Sequence, residues 1–422
     1  MEKVCKMKIC IIGGGHAGWW TAGYFEKHLP EYDLTVYESE DIPILGVGES
    51  TLPQIKIWFD DLGIPEETWM PEAQAIKKYG NWKLGWDQAG LGEPFILYFW
   101  QNDDYAFDRM MNNPANYVYE PGKDRVINKK IFQEEFSKPQ GWRDYAYHLD
   151  AINAADIVRN HCKKTKTVKA TLKELPSGYD LYIDCTGFGR KFVQDKTEMP
   201  ISKYHYVDRA LVCPVKKIES DGATLLTKSI ARHYGWQFEV CLKNRVGIGY
   251  VYSSSHASEE MARLEYEHHM INGREKLVEP RLIKWKPLVY ANPWSNNVVA
   301  MGSSAGFVDP LEATALFMTQ TGITTLVKCL KKGASPQAYN KLMRKIWKEG
   351  LDFQLAHYAL NSREDSGFWR HMREIKDDCS KMLWENYHSK NNKYTNLFPS
   401  GIWCQLGVYL DDFKYYRPKT TD

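Results

Sequence analysis

One lysine and four apolar residues make up Lys8-Ile9-Cys10-Ile11-Ile12, a run short and continuous enough to be a buried strand. His16 to His28 reads as a helix, and Leu34-Thr35-Val36-Tyr37-Glu38 as a second strand, so the chain opens as a βαβ unit. Near Tyr182-Ile183-Asp184-Cys185 another short strand ends in Thr186-Gly187, and Asn297-Val298-Val299-Ala300-Met301-Gly302 repeats that strand-to-glycine junction. The three segments lie far apart in sequence, which predicts one cofactor domain assembled from discontinuous pieces. Between them, residues 202–255 are rich in β-branched and aromatic positions, as in Val246-Gly-Ile-Gly-Tyr-Val-Tyr252, and predict strands. From Pro336 onward the pattern is mostly helical. The expected organisation is cofactor segments at 7–100, 140–200 and 286–332, a β-rich substrate-side region at 202–285, and a helical C-terminal substrate region at 336–422.

Composition narrows the function classes. Of 422 residues, 43% are hydrophobic, which supports a sizeable core. A net charge of +2 gives no basic field for nucleic acid or an anionic membrane. The nine cysteines show no CxxC pair, which favours free thiols in a reducing compartment. The histidines include the pair His268-His269 but no HExxH, so no metal is expected. No apolar run approaches the roughly 20 residues of a membrane span, and Met1 to Lys8 lacks the apolar stretch of a signal peptide. The expected location is cytoplasmic; a homo-oligomer is left open. With 15 Trp and 26 Tyr the chain is rich in aromatics, most of them expected in the core and a minority in an aromatic substrate pocket.

Gly13-Gly14-Gly15-His16-Ala17-Gly18 fits G-x-G-x-x-G between strand and helix. The first glycine permits the tight turn, the second the approach of a pyrophosphate, and the third close helix–strand packing. The helix N-terminus offers free N–H groups and a positive dipole end, and Glu38 ends the second strand where it can accept from ribose hydroxyls. Thr186-Gly187 and Gly302 resemble the later flavin-contact segments of FAD monooxygenase-type folds. No second glycine motif opens a nicotinamide domain, so FAD is the expected cofactor, with reducing equivalents supplied from outside. The predicted fold is α/β: a Rossmann-type FAD domain of the flavin monooxygenase kind, a mixed-sheet substrate region and a helical C-terminal part.

Several segments together resemble the flavin-dependent halogenases of the tryptophan-halogenase type. They are Gly13 to Ala22 (GGGHAGWWTA), Gly46 to Pro53 (GVGESTLP), Leu62-Gly-Ile-Pro65 with Trp69-Met70, Arg143 to Asp150, Ile183 to Phe188, Gly306 to Glu312 and His357 to Trp369. They follow in family order over most of residues 7–410. The resemblance implies that reduced FAD (FADH2) and O2 convert halide to hypohalous acid, which travels to a lysine beside the substrate. The matching lysine is Lys78, in Lys78-Tyr79-Gly80…Trp86; without the resemblance, Lys77-Lys78 reads as a solvated charge pair. Glu312 matches the carboxylate that stabilises the cationic ring and helps remove its proton; by itself it reads as an acidic residue at a helix N-terminus. By the same resemblance Gly13, Gly15, Ala17, Gly18, Glu38, Gly48, Ser50, Thr51, Gly302, Pro310 and Leu311 contact the cofactor. The backbone amides of Thr314 and Ala315 hold chloride, bromide or iodide. A separate flavin reductase and a small aromatic substrate are the implied partners.

Four departures matter. The family's W-x-W-x-I-P becomes Trp236-Gln-Phe238-Glu-Val240-Cys241, which keeps aromatic bulk. Ala313 stands where a serine usually follows the glutamate, which predicts a larger, less polar site favouring bromide or iodide. Gly302-Ser303-Ser304 replaces the acidic GD form of other FAD monooxygenases. The chain is also shorter than the tryptophan-specific members, which predicts a more open pocket for other electron-rich aromatics. Phe99, Trp100, Trp369 and Trp403 are candidate pocket walls, each weighed against a place in the core. An aromatic hydroxylase and a non-catalytic flavoprotein are the competing functions; neither requires Lys78 or Glu312.

Overall fold

The computed structural model describes residues 7–41, 48–86, 95–99, 145–201, 204, 207–218 and 226–379. Two compact units divide the chain, the first comprising Met1–Ile76, His148–Ser202 and Trp285–Trp347, the second Lys77–Tyr147, Lys203–Lys284 and Lys348–Asp422.

A six-stranded sheet forms the first unit, in the order Trp294–Ser295, Val298–Ala300, Leu181–Asp184, Lys8–Ile12, Asp33–Glu38, Lys166–Lys169. The pairings are parallel except at the Trp294–Ser295 edge, and Ile9 lies beside both Leu34 and Leu181. Parallel strands are covered on both faces and so read as continuous apolar runs; Ile9, Cys10 and Ile11 are accordingly sealed from solvent. The helix His16–His28 follows the opening strand and packs on the helix Ala151–His161. A Cβ at Gly23 would lie 2.4 Å from Val158, so the two helices meet only because position 23 has no side chain. Asp150 caps the second helix, accepting from the Ile152 and Asn153 amides.

The second unit is built on a seven-stranded mixed sheet, in the order Arg281–Lys284, Arg209–Lys216, Arg245–Tyr252, Gly235–Cys241, Thr227–Arg232, Gly80–Leu84, Phe95–Tyr98. Thr227–Arg232 runs parallel to Gly80–Leu84 and antiparallel to Gly235–Cys241. Its burial alternates strictly, as a strand with one solvated face requires.

The 7–100 stretch divides at Ile76, because Gly80–Leu84 hydrogen-bonds into the second sheet. At the other end, the first unit continues past 332 to Trp347. Asn340 donates to the Trp294 carbonyl and accepts from its amide, and Arg344 donates to the Ala291 carbonyl. Pro336–Leu360 is one continuous helix. Among the described residues, no helix is long and apolar enough to cross a membrane.

Candidate active site

In the first unit three glycine junctions converge. Gly13 has φ +127°, and a Cβ there would lie 2.3 Å from the Cys185 carbonyl oxygen; one at Gly18 would lie 1.8 Å from the Gly13 oxygen. Those positions exclude any side chain. Gly15 instead faces open space, with no atom within 4 Å of a built Cβ, and the helix that starts beside it has no side-chain cap. Its first N–H groups therefore remain available to an anion. A Cβ at Gly302 (φ +63°) would lie 2.8 Å from the Ala17 Cβ. Asp184 joins the later junctions, accepting from the Thr186 amide at 2.9 Å and from the Ser304 hydroxyl at 3.2 Å. Burial drives His16 down to about 4, so its ring is neutral near pH 7. Attraction for a phosphate at this turn would thus rest on backbone dipoles, without a histidine charge.

Glu38 is more elaborately held than its sequence position suggests. Trp19 Nε1 donates to one carboxylate oxygen at 3.1 Å, while Arg159 and Lys169 pair with the other at 3.1 and 2.6 Å. The Arg159 guanidinium also lies 5.3 Å from the Trp19 ring centroid. A Cβ on Gly14 would come within 2.5 Å of Glu38, so the middle glycine makes room for this carboxylate. These features fit an adenosine diphosphate moiety: an open glycine, an uncapped helix start and a fixed carboxylate with lone pairs to spare.

Gly48 (φ +109°) leads into Glu49 and Ser50, which pair with Leu149 and His148, and Thr51 is buried. Burial and the charge of Asp150 push the Glu49 carboxyl up to about 7. Sequence inspection missed this group, because its perturbing neighbour lies a hundred residues downstream.

Further on, Asp309 Oδ1 accepts from the Leu311 amide at 2.9 Å and tightens the turn after Pro310. Glu312 (φ 62°, ψ 24°) and Ala313 (φ 56°, ψ 28°) are both left-handed, and Glu312 is buried. The helix Thr314–Lys331 starts immediately afterwards, with Ala313 at its N-cap and no side-chain cap on its first turn.

Lys78 lies in the second unit and is fully buried. Its Nζ donates to Asn81 Oδ1 and Thr227 Oγ1, each at 3.1 Å, and lies 4.9 Å from the Phe99 ring centroid. The sheet register sets Thr227 beside Asn81, which aligns the two acceptors. Strand alternation separates the neighbouring lysines: Lys77 sits 4.4 Å from the Tyr145 ring centroid while Lys78 is enclosed. Lys83, also buried, lies 5.0 Å from the Trp86 ring centroid and is a second interior lysine that the sequence did not single out. Phe99 is thus brought to Lys78. Trp369 is buried in the second unit: its Nε1 donates to the Arg232 carbonyl at 2.8 Å, and its ring stacks on Tyr358 and meets Trp86 edge-on. Trp100 and Trp403 lie outside the described residues.

A family model described as tryptophan halogenase matches residues 8–408. The chain belongs to the tryptophan halogenase family. It is 28% identical to tryptophan 6-halogenase SttH of Streptomyces toxytricini over 451 residues, covering 93% of this chain and 86% of that protein. Tryptophan 7-halogenase RebH of Lentzea aerocolonigenes is 29% identical, with 87% and 79% covered. The fold superposes on a flavin-dependent halogenase from Xanthomonas campestris with TM-score 0.80 and 26% identity, covering 96% of this chain and 89% of that one. This halogenase is therefore an enzyme that uses FADH2 and halide. Halogenases of its family work with a separate flavin reductase and act on aromatic substrates.

The departures can now be located in this halogenase. Trp236 is buried, and the Phe238 ring occupies the space beside Gly249, where a Cβ would come within 2.0 Å of it. Aromatic bulk at 238 is thus accommodated by the missing side chain across the sheet. Ser304, in the segment that replaces the acidic form, spends its hydroxyl on Asp184 and the Gly187 carbonyl.

Proposed function

We propose that this halogenase installs halogen on an electron-rich aromatic through hypohalous acid directed by Lys78, with bromide or iodide favoured. The burial of the Lys78 ammonium carries the reading. A charged amine without bulk solvent costs several kcal/mol unless its donors are used. Asn81 and Thr227 accept from it, and a hydrogen bond donated by this ammonium to hypohalous acid would make the halogen more electrophilic. The Phe99 ring beside Nζ supports an aromatic-walled site.

The turn Gly13–Gly18 with Ala17, Glu38, the Gly48-Ser50-Thr51 segment, Gly302, Pro310 and Leu311 would hold the cofactor. Bound there as FADH2, the cofactor would activate O2, whose oxidising equivalents turn halide into hypohalous acid. The backbone amides of Thr314 and Ala315, at the start of the Thr314–Lys331 helix, would bind halide by the helix dipole. Glu312 would take the proton from the ring as aromaticity returns. Ala313 brings no hydroxyl to this turn, which favours a larger, more weakly hydrated halide.

The test is Lys78→Met in the FAD-loaded enzyme with reductase, O2 and a panel of phenols and indoles. Halogenated product is expected to fall by about 10²-fold or more, with FAD binding retained; undiminished halogenation overturns the lysine's role. Equimolar halide competition should give brominated or iodinated product in excess, and a chloride preference refutes the halide assignment.

A further inference from the structure

A small pocket in the first unit, with about 10 Å³ of free volume, has an unusual wall. Met301, Met318 and Met343 line it together with Gly302, Ala315 and Trp347. Gly302 and Ala315 are the residues assigned above to the cofactor and the halide, so the pocket adjoins the region where the oxidant would be generated. The three methionines are 2–4% exposed. They come from different places: the end of the strand leading to Gly302, the Thr314–Lys331 helix and the Pro336–Leu360 helix. Met301 Sδ would lie 3.0 Å from a Cβ at Gly322, so a side chain there would push the sulfur by a few tenths of an ångström. A volume of this size admits about one water-sized molecule.

We propose that Met301, Met318 and Met343 form an oxidation site that consumes hypohalous acid escaping from the halide region. The inference rests on the hypohalous-acid reading above. In the reaction a thioether and hypohalous acid give a sulfoxide, a proton and halide. Sulfur loses two electrons, the halogen gains them, and the S–O bond replaces the O–halogen bond. The halide is returned for reuse, and sulfoxide is the one oxidation product of methionine that reductases reverse. Trp347 and Tyr339, electron-rich rings on the same wall, are the residues spared. Without this role, the methionines would be adaptable filler between helix and strand.

The experiment maps oxidised peptides by mass spectrometry in two arms. In the first, the FAD-loaded enzyme turns over with reductase, O2 and bromide, beside a bromide-free control; product is measured in the same samples. Sulfoxide at 301, 318 and 343 that depends on bromide supports the proposal. Product formation without such sulfoxide, or equal sulfoxide in the control, overturns it. In the second arm, substoichiometric hypobromite is added to the FAD-loaded protein. The three pocket methionines should be oxidised ahead of Met270 and Met372, which are as deeply buried; the reverse or a random order among these five overturns the proposal even if the enzyme makes no hypohalous acid itself. The variant carrying Met301→Leu, Met318→Leu and Met343→Leu should keep its initial rate and accumulate bromine on Trp347 or Tyr339. An unmodified wall and an undiminished number of turnovers would refute it.

Discussion

Ala313→Gly isolates the strain stored beside Glu312. Ala313 sits at φ 56°, ψ 28°, directly after another left-handed residue. An L-residue pays about 1–2 kcal/mol for that region, which glycine does not. Glycine also enlarges the unfolded ensemble, at about 0.4–1 kcal/mol. The difference predicts a gain of about 0.5–1 kcal/mol for the variant. Urea unfolding of the FAD-loaded protein measures it, through the midpoint at unchanged m. The freed backbone should also let Glu312 wander, so halogenation should slow. The loss should stay below the roughly 10²-fold that a 1 Å misplacement can cause, with FAD affinity unaffected. A variant less stable than the parent would refute the strain argument. A stabilised variant with full activity would refute the claim that the strain positions the carboxylate.

Trp19→Phe removes the indole donor to Glu38 but keeps the ring; with Arg159 and Lys169 still paired, about 1 kcal/mol of stability should be lost, at the low end for a buried charged acceptor, measured by thermal melts with and without FAD. The Glu49 carboxyl, raised from 4.5 to about 7, keeps its proton in the folded protein where the unfolded chain has lost it. Folding therefore binds a proton between those values, and this group's contribution to stability falls as pH rises from about 4.5 to about 7. Glu49→Gln should flatten that part of the stability–pH curve, and an unchanged slope would place the titration elsewhere.

Local elements were legible in the sequence wherever a short pattern fixed them. The opening strand, the helix from His16 to His28 and the glycine turn follow from the order of apolar residues and glycines, because hydrogen bonding there is local or between successive parallel strands. What joins distant residues was not legible. Lys77-Lys78 looks like a solvated pair until Thr227 is known to stand beside Asn81. Trp369 has the composition of a pocket wall, yet its N–H is committed to the Arg232 carbonyl. The two ions on Glu38 come from another helix and from an edge strand. Nothing in Glu-Ala signals two left-handed residues in succession; that backbone is imposed by the turn tied at Asp309 and by the helix that follows.

Two acceptors on the Lys78 ammonium, Asn81 and Thr227, are a strand residue and its neighbour across a parallel ladder. Their spacing is thus a lattice constant of the sheet, indifferent to the length or sequence of the connections beyond it. A lineage can lengthen, shorten or exchange those connections, where substrate contacts diversify most readily, without retuning the amine. A one-residue slip of Thr227–Arg232, by contrast, would turn Thr227 to the opposite face and remove an acceptor at once. Substrate range is therefore free to drift in this scaffold, while the setting of the Lys78 amine is inherited with the register.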